Sequence, residues 1–173
     1  MPSRLFPFSI AAAVFLLDRL TKSMIKAHVD AQQTLSVIPG CFNIVHAENP
    51  GVAFGLLADA TGAWRNIFLI GLSASVLVFI SVLLWKPVKA AAPDLLLRIG
   101  LACILGGAFG NLYDRVVNGT VTDFVEVYAG THYFPAFNVA DSGISVGAGL
   151  LLLDMWRGRG KKVEPRVASQ ERG

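Results

Sequence analysis

The chain has 173 residues, of which 54% are hydrophobic and only 16% charged, and its mean hydropathy is +0.57. Such a composition is too apolar and too sparsely charged for an ordinary soluble domain. The net charge of +3 is modest and lacks interleaved aromatics, which argues against nucleic-acid binding and for membrane topology and anionic-lipid contact.

The first apolar run, Leu5 to Leu17 behind Arg4, has two readings: a cleavable signal peptide or the start of a retained helix. No small-residue cleavage site follows it, which favours the helix. A spanning helix needs roughly 20 residues, so the predicted span, about 6–27, must continue through Asp18-Arg19-Leu20-Thr21-Lys22. Asp18 and Lys22 lie four apart on one face, in the order that lets them pair and lower each other's cost in the membrane.

From His28 to Thr61 the composition is mixed. Alternation at Leu35-Ser36-Val37, a Pro39-Gly40 turn and Phe42-Asn43-Ile44 predict a hairpin or small sheet outside the bilayer. Asn49-Pro50-Gly51 reads as turn chemistry, with Pro50 pushing Asn49 toward extended backbone.

Trp64 and Trp85 bracket the second apolar run as interfacial anchors, about 31 Å apart at helical rise. A loop from Lys86 to Asp94 leads to a third span, about 95–113, and a fourth follows at about 134–156. That last span would put Asp141 about 10 Å below its outer end. Between these spans, Val121-Thr122-Asp123-Phe124-Val125-Glu126-Val127 reads as a strand, with Asp123 on the same face as valines. Residues 158–173 form a basic and polar tail.

Four spans place both termini on one side. Arg4, Lys86, Lys89, Arg157, Arg159, Lys161 and Lys162 fall on that side, which the positive-inside rule makes cytoplasmic. Asp30, Glu48, Asp59, Asp114, Asp123 and Glu126 fall on the other. The expected fold is thus an all-α integral membrane protein of four transmembrane helices, both termini cytoplasmic, with a small extracytoplasmic β-sheet region. Residues 1–157 form its single domain. Small residues at helical spacing, Ala102, Gly106 and Gly110 in span three and Gly143 and Gly147 in span four, permit close helix approach. Cys41 in a polar loop and Cys103 at mid-membrane are too far apart for a disulfide and receive no function.

Several chemistries can be weighed. Gly143-Ile144-Ser145-Val146-Gly147 matches a serine-hydrolase pattern, but that motif works on a strand-to-helix turn and here lies inside an apolar helix. His28, His46 and His132 have no metal-ligand spacing, so no metal or other cofactor is expected. Aspartates remain. Asp141, just inside an apolar run, is a candidate functional group by default, and Asp123 is its natural partner. Asp114 is a rival member, better read as an ion pair with the adjacent Arg115. Two carboxylates in one apolar pocket share a proton and so supply a base and an acid together.

Asp18-Arg19-Leu20-Thr21-Lys22, Asn49-Pro50-Gly51-Val52-Ala53-Phe54-Gly55, the run Gly106 to Arg115, Val121 to Phe124 and Phe137 to Ser142, in that order, resemble the motifs of the bacterial lipoprotein signal peptidases (signal peptidase II). The likeness covers about residues 5 to 157. The chain carries Pro50 where members of that family commonly carry threonine. The resemblance implies an intramembrane aspartyl endopeptidase that removes the signal peptide from diacylglyceryl-modified prolipoproteins, cleaving before the lipidated cysteine. It implies Asp123 and Asp141 as the catalytic dyad and Asn49, Asn111, Arg115 and Asn138 as polar residues around it that hold the substrate backbone. Asp18 and Lys22 are then supporting motif positions. Expected partners are the lipidated substrate and membrane lipid, for a monomer in the bacterial inner membrane with its site toward the periplasmic face. The alternative from another class is a small four-helix transporter or non-catalytic subunit, with Asp18 and Asp141 as a proton or cation relay.

Overall fold

The computed structural model describes residues 5–31, 33–51, 63–85 and 95–159. The expectations for Arg4, Val52-Ala53-Phe54-Gly55, Asp59, the loop 86–94 and the tail from Gly160 onward lie outside them, as does the Arg159 side chain. The elements are α1 (Phe6–His28), β1 (Thr34–Ile38), β2 (Phe42–Asn49), α2 (Ala63–Trp85), α3 (Leu95–Asn118), β3 (Val121–Ala129), β4 (His132–Tyr133) and α4 (Val139–Arg159).

α1 begins with Pro7 in its first turn, where a missing N–H costs nothing, and ends with Lys26, whose charge suits a helix C-terminus. α2 is the most apolar helix, with Trp64 and Trp85 both exposed near its ends as expected. Among the described residues, three helices are long and apolar enough to cross a membrane: Trp64–Trp85, Leu95–Asn118 and Val139–Arg157, with mean hydropathies of 2.8, 1.7 and 1.3. α1 has the length, with 23 residues, but carries Asp18, Arg19, Lys22 and Lys26 in its second half.

Two helix boundaries correct the sequence expectation. α3 runs to Asn118, not 113. Asp114 does not mark an exit to solvent because it is wholly buried; the helix stops only where Gly119, at φ +78°, lets its N–H reach Arg115 O at 3.2 Å. α4 starts at Val139, not 134. Residues before it are extended, and Phe137 bridges Val125 by backbone hydrogen bonds of 2.8 and 3.0 Å. Asp141 therefore lies in the first turn of α4, not two turns below its end.

The four strands form one antiparallel sheet in the order β1-β2-β3-β4. β2 pairs with β3 from Phe42↔Val127 to Ile44↔Val125, then shifts register and resumes with Ala47↔Asp123, Glu48↔Thr122 and Asn49↔Val121. Simple alternation does not describe the start of β3: Val121, Thr122, Asp123 and Phe124 are all buried, where α1 and α3 pack on the strand and the Phe137 backbone pairs along its edge. Cys41 and Cys103 are free thiols, as expected.

α1, α3 and α4 pack on one another through the small residues. A Cβ on Gly106 would collide with the Ala11 carbonyl, and one on Gly107 with the Ala140 carbonyl. Gly147 and Gly100 meet the same way, at 2.5 and 2.9 Å from each other's carbonyl oxygens to the missing Cβ. α2 leans on α3 through a cluster of Ile80, Leu84, Leu105 and Ala11. The close triad of helices and the sheet above it position everything that follows.

Candidate active site

Asn138 ends the extended segment and caps α4. Its Oδ1 accepts from Asp141 N at 2.9 Å, while Asp141 Oδ2 accepts from Asn138 N at 3.3 Å. This is a reciprocal capping box in which the third helical residue is Asp141. The cap fixes the Asp141 backbone and faces its carboxylate toward the positive end of the helix dipole.

Three carboxamides fasten the two carboxylates. Asn138 Nδ2 donates to Asp123 Oδ1 at 2.7 Å, Asn49 Nδ2 to Asp123 Oδ2 at 3.0 Å, and Asn111 Nδ2 to Asp141 Oδ1 at 2.7 Å. The polarity of each amide is forced from its other end. Asn111 Oδ1 takes a proton from Lys22 Nζ at 3.1 Å, Asn49 Oδ1 from Gly51 N at 2.8 Å, and Asn138 Oδ1 from Asp141 N. None of those three donors can accept in return. Each amide oxygen is thereby claimed, and each nitrogen must face an aspartate.

Behind the amides lies a buried charge cluster. Lys22, Asp18 and Asp114 are all at 0% exposure. Lys22 Nζ forms ion pairs with Asp18 Oδ2 at 2.9 Å and Asp114 Oδ2 at 2.8 Å, besides its hydrogen bond to Asn111. Arg19 pairs with the other oxygen of Asp114 and lies 4.3 Å from the Tyr113 ring centroid. Asp18 Oδ1 accepts from Ala140 N at 2.9 Å, joining α1 to the start of α4. Gly110 makes room: a Cβ there would stand 2.6 Å from Asp18 Oδ2.

A cavity of about 540 Å³ opens beside the carboxylates, with Asn49, Asn111, Arg115, Asp123 and Asp141 on its wall and Ser145 and Val146 deeper along α4. Arg115 donates from Nη1 to Asn111 O at 3.3 Å, and its Nε is buried without a hydrogen-bond partner among the described residues. Ser145 lines the cavity inside α4. A second cavity of about 530 Å³ between α1, α2 and α3 is lined by apolar side chains and one serine, Ser81, and offers no chemistry.

All eight expected site residues thus converge: Asp123, Asp141, Asn49, Asn111 and Arg115 on the cavity, Asn138, Asp18 and Lys22 behind it. The pairing of Asp114 with Arg115 is overturned, since the ion partners of Asp114 are Lys22 and Arg19. The reason is charge balance. α1 brings two cations and one acid into the packed interior, and an acid from α3 must neutralise the excess. That unmatched cation was the sequence signal for Asp114. The tie between Asn138 and Asp141 was likewise visible as an Asn-x-x-Asp capping pattern.

A family model described as Signal peptidase (SPase) II matches residues 10–157. The "Lipoprotein signal peptidase" of Solibacter usitatus (strain Ellin6076) is 46% identical over 150 residues, covering 87% of this chain and 90% of its own. The protein of the same name from Pseudomonas aeruginosa (strain UCBPP-PA14) is 46% identical over 151 residues, covering 87% of each. A solved structure described as a bacterial membrane enzyme superposes with a TM-score of 0.78 at 27% identity, covering 94% of each chain.

The environment of Asp123 has a measurable consequence. Burial, opposed by the Asn49 hydrogen bond and reinforced by the Asp141 charge, pushes its carboxyl up to about 6. A carboxyl raised in the folded state stabilises the fold fully below its unfolded pKa of about 3.9, and that contribution is lost as pH rises through about 6. The melting temperature of the wild type relative to Asp123→Asn should therefore fall between pH 4 and pH 7. Parallel pH curves for the two proteins in thermal denaturation would contradict this assignment.

Proposed function

This chain belongs to the signal peptidase II family, and from that premise we propose that Asp123 and Asp141 are the catalytic dyad of its aspartic peptidase activity. The family supports lipoprotein signal peptidase function, and it removes the transporter reading that the isolated motifs left open. The observation that carries the assignment is the pair of carboxylates on one cavity wall, each held by amides of fixed polarity.

On this reading the dyad holds one proton. The ionised member takes a proton from a water whose oxygen attacks the scissile carbonyl, and the protonated member donates to the carbonyl oxygen. Collapse of the tetrahedral intermediate breaks the C–N bond, and the proton taken from water passes to the leaving amine. Burial disposes Asp123 to hold the shared proton. The substrate is a prolipoprotein whose diacylglyceryl chains stay in lipid while the peptide bond enters the cavity. Arg115, with guanidinium donors open to that cavity, binds the substrate's carbonyl or glycerol oxygens.

We place the protein in the bacterial inner membrane as a monomer crossing four times, with α1 as the remaining span. Both termini are cytoplasmic and the sheet is periplasmic. Supporting this, Glu48, Asp123 and Glu126 share the sheet end of the molecule, while Arg157 lies at the opposite end of α4.

Asp123→Asn and Asp141→Asn should each lower turnover of a lipidated prolipoprotein peptide by at least about 10²-fold in a folded, inserted protein. Ser145→Ala should stay near wild type and chelators should have no effect; a dead Ser145→Ala beside an active Asp141→Asn would end the aspartyl assignment. Arg115→Lys keeps the charge but loses the planar fork of donors, so kcat/KM should drop about tenfold or more with the melting temperature little changed. Wild-type kinetics there would return Arg115 to a structural role. Reporter fusions after residue 128 should read as extracytoplasmic and fusions at Lys89 as cytoplasmic. The reverse pattern would overturn the topology.

A further inference from the structure

Glu48 lies outside the cavity, yet it closes the strand pair that presents the dyad. Past the register shift, the β2–β3 ladder keeps only Ala47↔Asp123, Glu48↔Thr122 and Asn49↔Val121. Pro50, with no N–H, follows. Three isolated pairs at the end of a ladder would fray if only backbone bonds held them. This short end carries both Asp123 and the Asn49 that donates to it.

The Glu48 side chain spans the gap. Oε1 accepts from Thr122 Oγ1 at 3.0 Å and Oε2 from Thr120 Oγ1 at 2.5 Å. Thr120 lies in the turn between α3 and β3, and Thr122 is wholly buried. From α1, Lys26 Nζ approaches Oε1 at 3.5 Å, and from β2, His46 Nε2 stands at 3.3 Å. Partial burial works against its charge, but the two threonine hydroxyls, with Lys26 and His46, hold its carboxyl below the usual range. On the other side of Thr122, its carbonyl accepts from Asn138 Nδ2 at 3.4 Å, the same nitrogen that donates to Asp123.

We propose that Glu48 is a positioning residue for the peptidase reaction: by clipping Thr120 and Thr122 to β2 it fixes the Asn49–Asp123 contact and so the geometry of the dyad. This rests on the assignment of Asp123 as catalytic. It needs no contact between Glu48 and substrate, so the clip acts on turnover and not on binding. It also acts on titration. Asn49 donation favours the charged form of Asp123, which is faced as well by Asp141 from α4, Lys22 from α1 and Arg115 from α3. Releasing Asn49 leaves those three in place and shifts the alkaline limb of the pH–rate profile upward.

The test is steady-state kinetics of the full-length purified protein on a diacylglyceryl-modified prolipoprotein peptide. Glu48→Ala should lower kcat about 10- to 100-fold, the scale of a small misplacement of a reacting group, with KM within about twofold and the alkaline limb moved to higher pH. Glu48→Gln keeps hydrogen bonds to both hydroxyls and should retain kcat within about threefold. Leu84→Ala, at the far end of α2 and 2% exposed, is the control for lost stability alone; it should lower the melting temperature without moving kcat or the pH limb. Wild-type kcat and pH limb in Glu48→Ala, or equal losses in Leu84→Ala, would overturn the positioning role. Asp123→Asn is run beside them: if that variant is active, the dyad assignment itself fails, whereas an inactive Asp123→Asn with an unaffected Glu48→Ala removes Glu48 alone.

Discussion

The geometry of the site depends on the ammonium group of Lys22. It has no lone pair, donates to the buried oxygen of Asn111 and stands in ion-pair contact with the buried carboxylates of Asp18 and Asp114. Because it can only donate, Asn111 must present its oxygen inward and its nitrogen to Asp141. The same logic is repeated by the Gly51 N–H on Asn49 and the Asp141 N–H on Asn138. An amide with both ends free could turn over and offer an oxygen to a carboxylate, which would repel it. Here that alternative is closed at all three positions.

A fully buried lysine between two carboxylates is poor evidence for stability, because desolvation of the ions can exceed their attraction. Its role is better sought in specification. Asp18, Lys22, Arg19 and Asp114 carry two formal charges of each sign, so the cluster is balanced within itself beside Asp123 and Asp141. Glycine makes the cluster possible. Without the missing side chain at Gly110 the Asp18 carboxylate could not lie between α1, α3 and α4, and without Gly107 the Ala140 backbone could not approach α3. α2 stands apart from this scheme. It is apolar on nearly every side, and among the described residues it meets the site through Asn66 Nδ2, which donates to Arg115 O at 3.4 Å.

Local patterns made much of this legible in the sequence. The i,i+4 pairing of Asp18 with Lys22, the small-residue stripes and the convergence of Asp123 with Asp141 all rest on periodicities or on charge in an apolar run. Local patterns mislead where a long-range partner changes their meaning. Asp114 beside Arg115 looked like a surface pair, but its partner Arg19 is 95 residues away and no window of sequence joins them. Phe134 and Phe137 continued an apolar run and read as helix, until pairing of Phe137 with Val125 claimed them for the sheet. Glu48 read only as an outward acid, because its function depends on a register shift that alternation cannot reveal.

The commitment of the amides also constrains how the transition state is stabilised. In many hydrolases, side-chain amides or backbone N–H groups wait for the developing oxyanion. Here one N–H each of Asn49, Asn111 and Asn138 already donates to a carboxylate, so these amides hold the aspartates first and each has at most its second N–H for anything else. On the proposed mechanism the proton shared by the dyad and the guanidinium of Arg115 are the donors that meet the oxyanion. The carboxyl proton neutralises the oxyanion as it forms, and Arg115 is near enough to feel the charge of both aspartates. Ser145, one helical turn beyond Asp141 on the same cavity, lies inside a regular helix and not on the strand-to-helix turn that a nucleophilic serine uses. Aspartate chemistry follows from where the hydrogen-bond donors point as much as from the presence of two carboxylates.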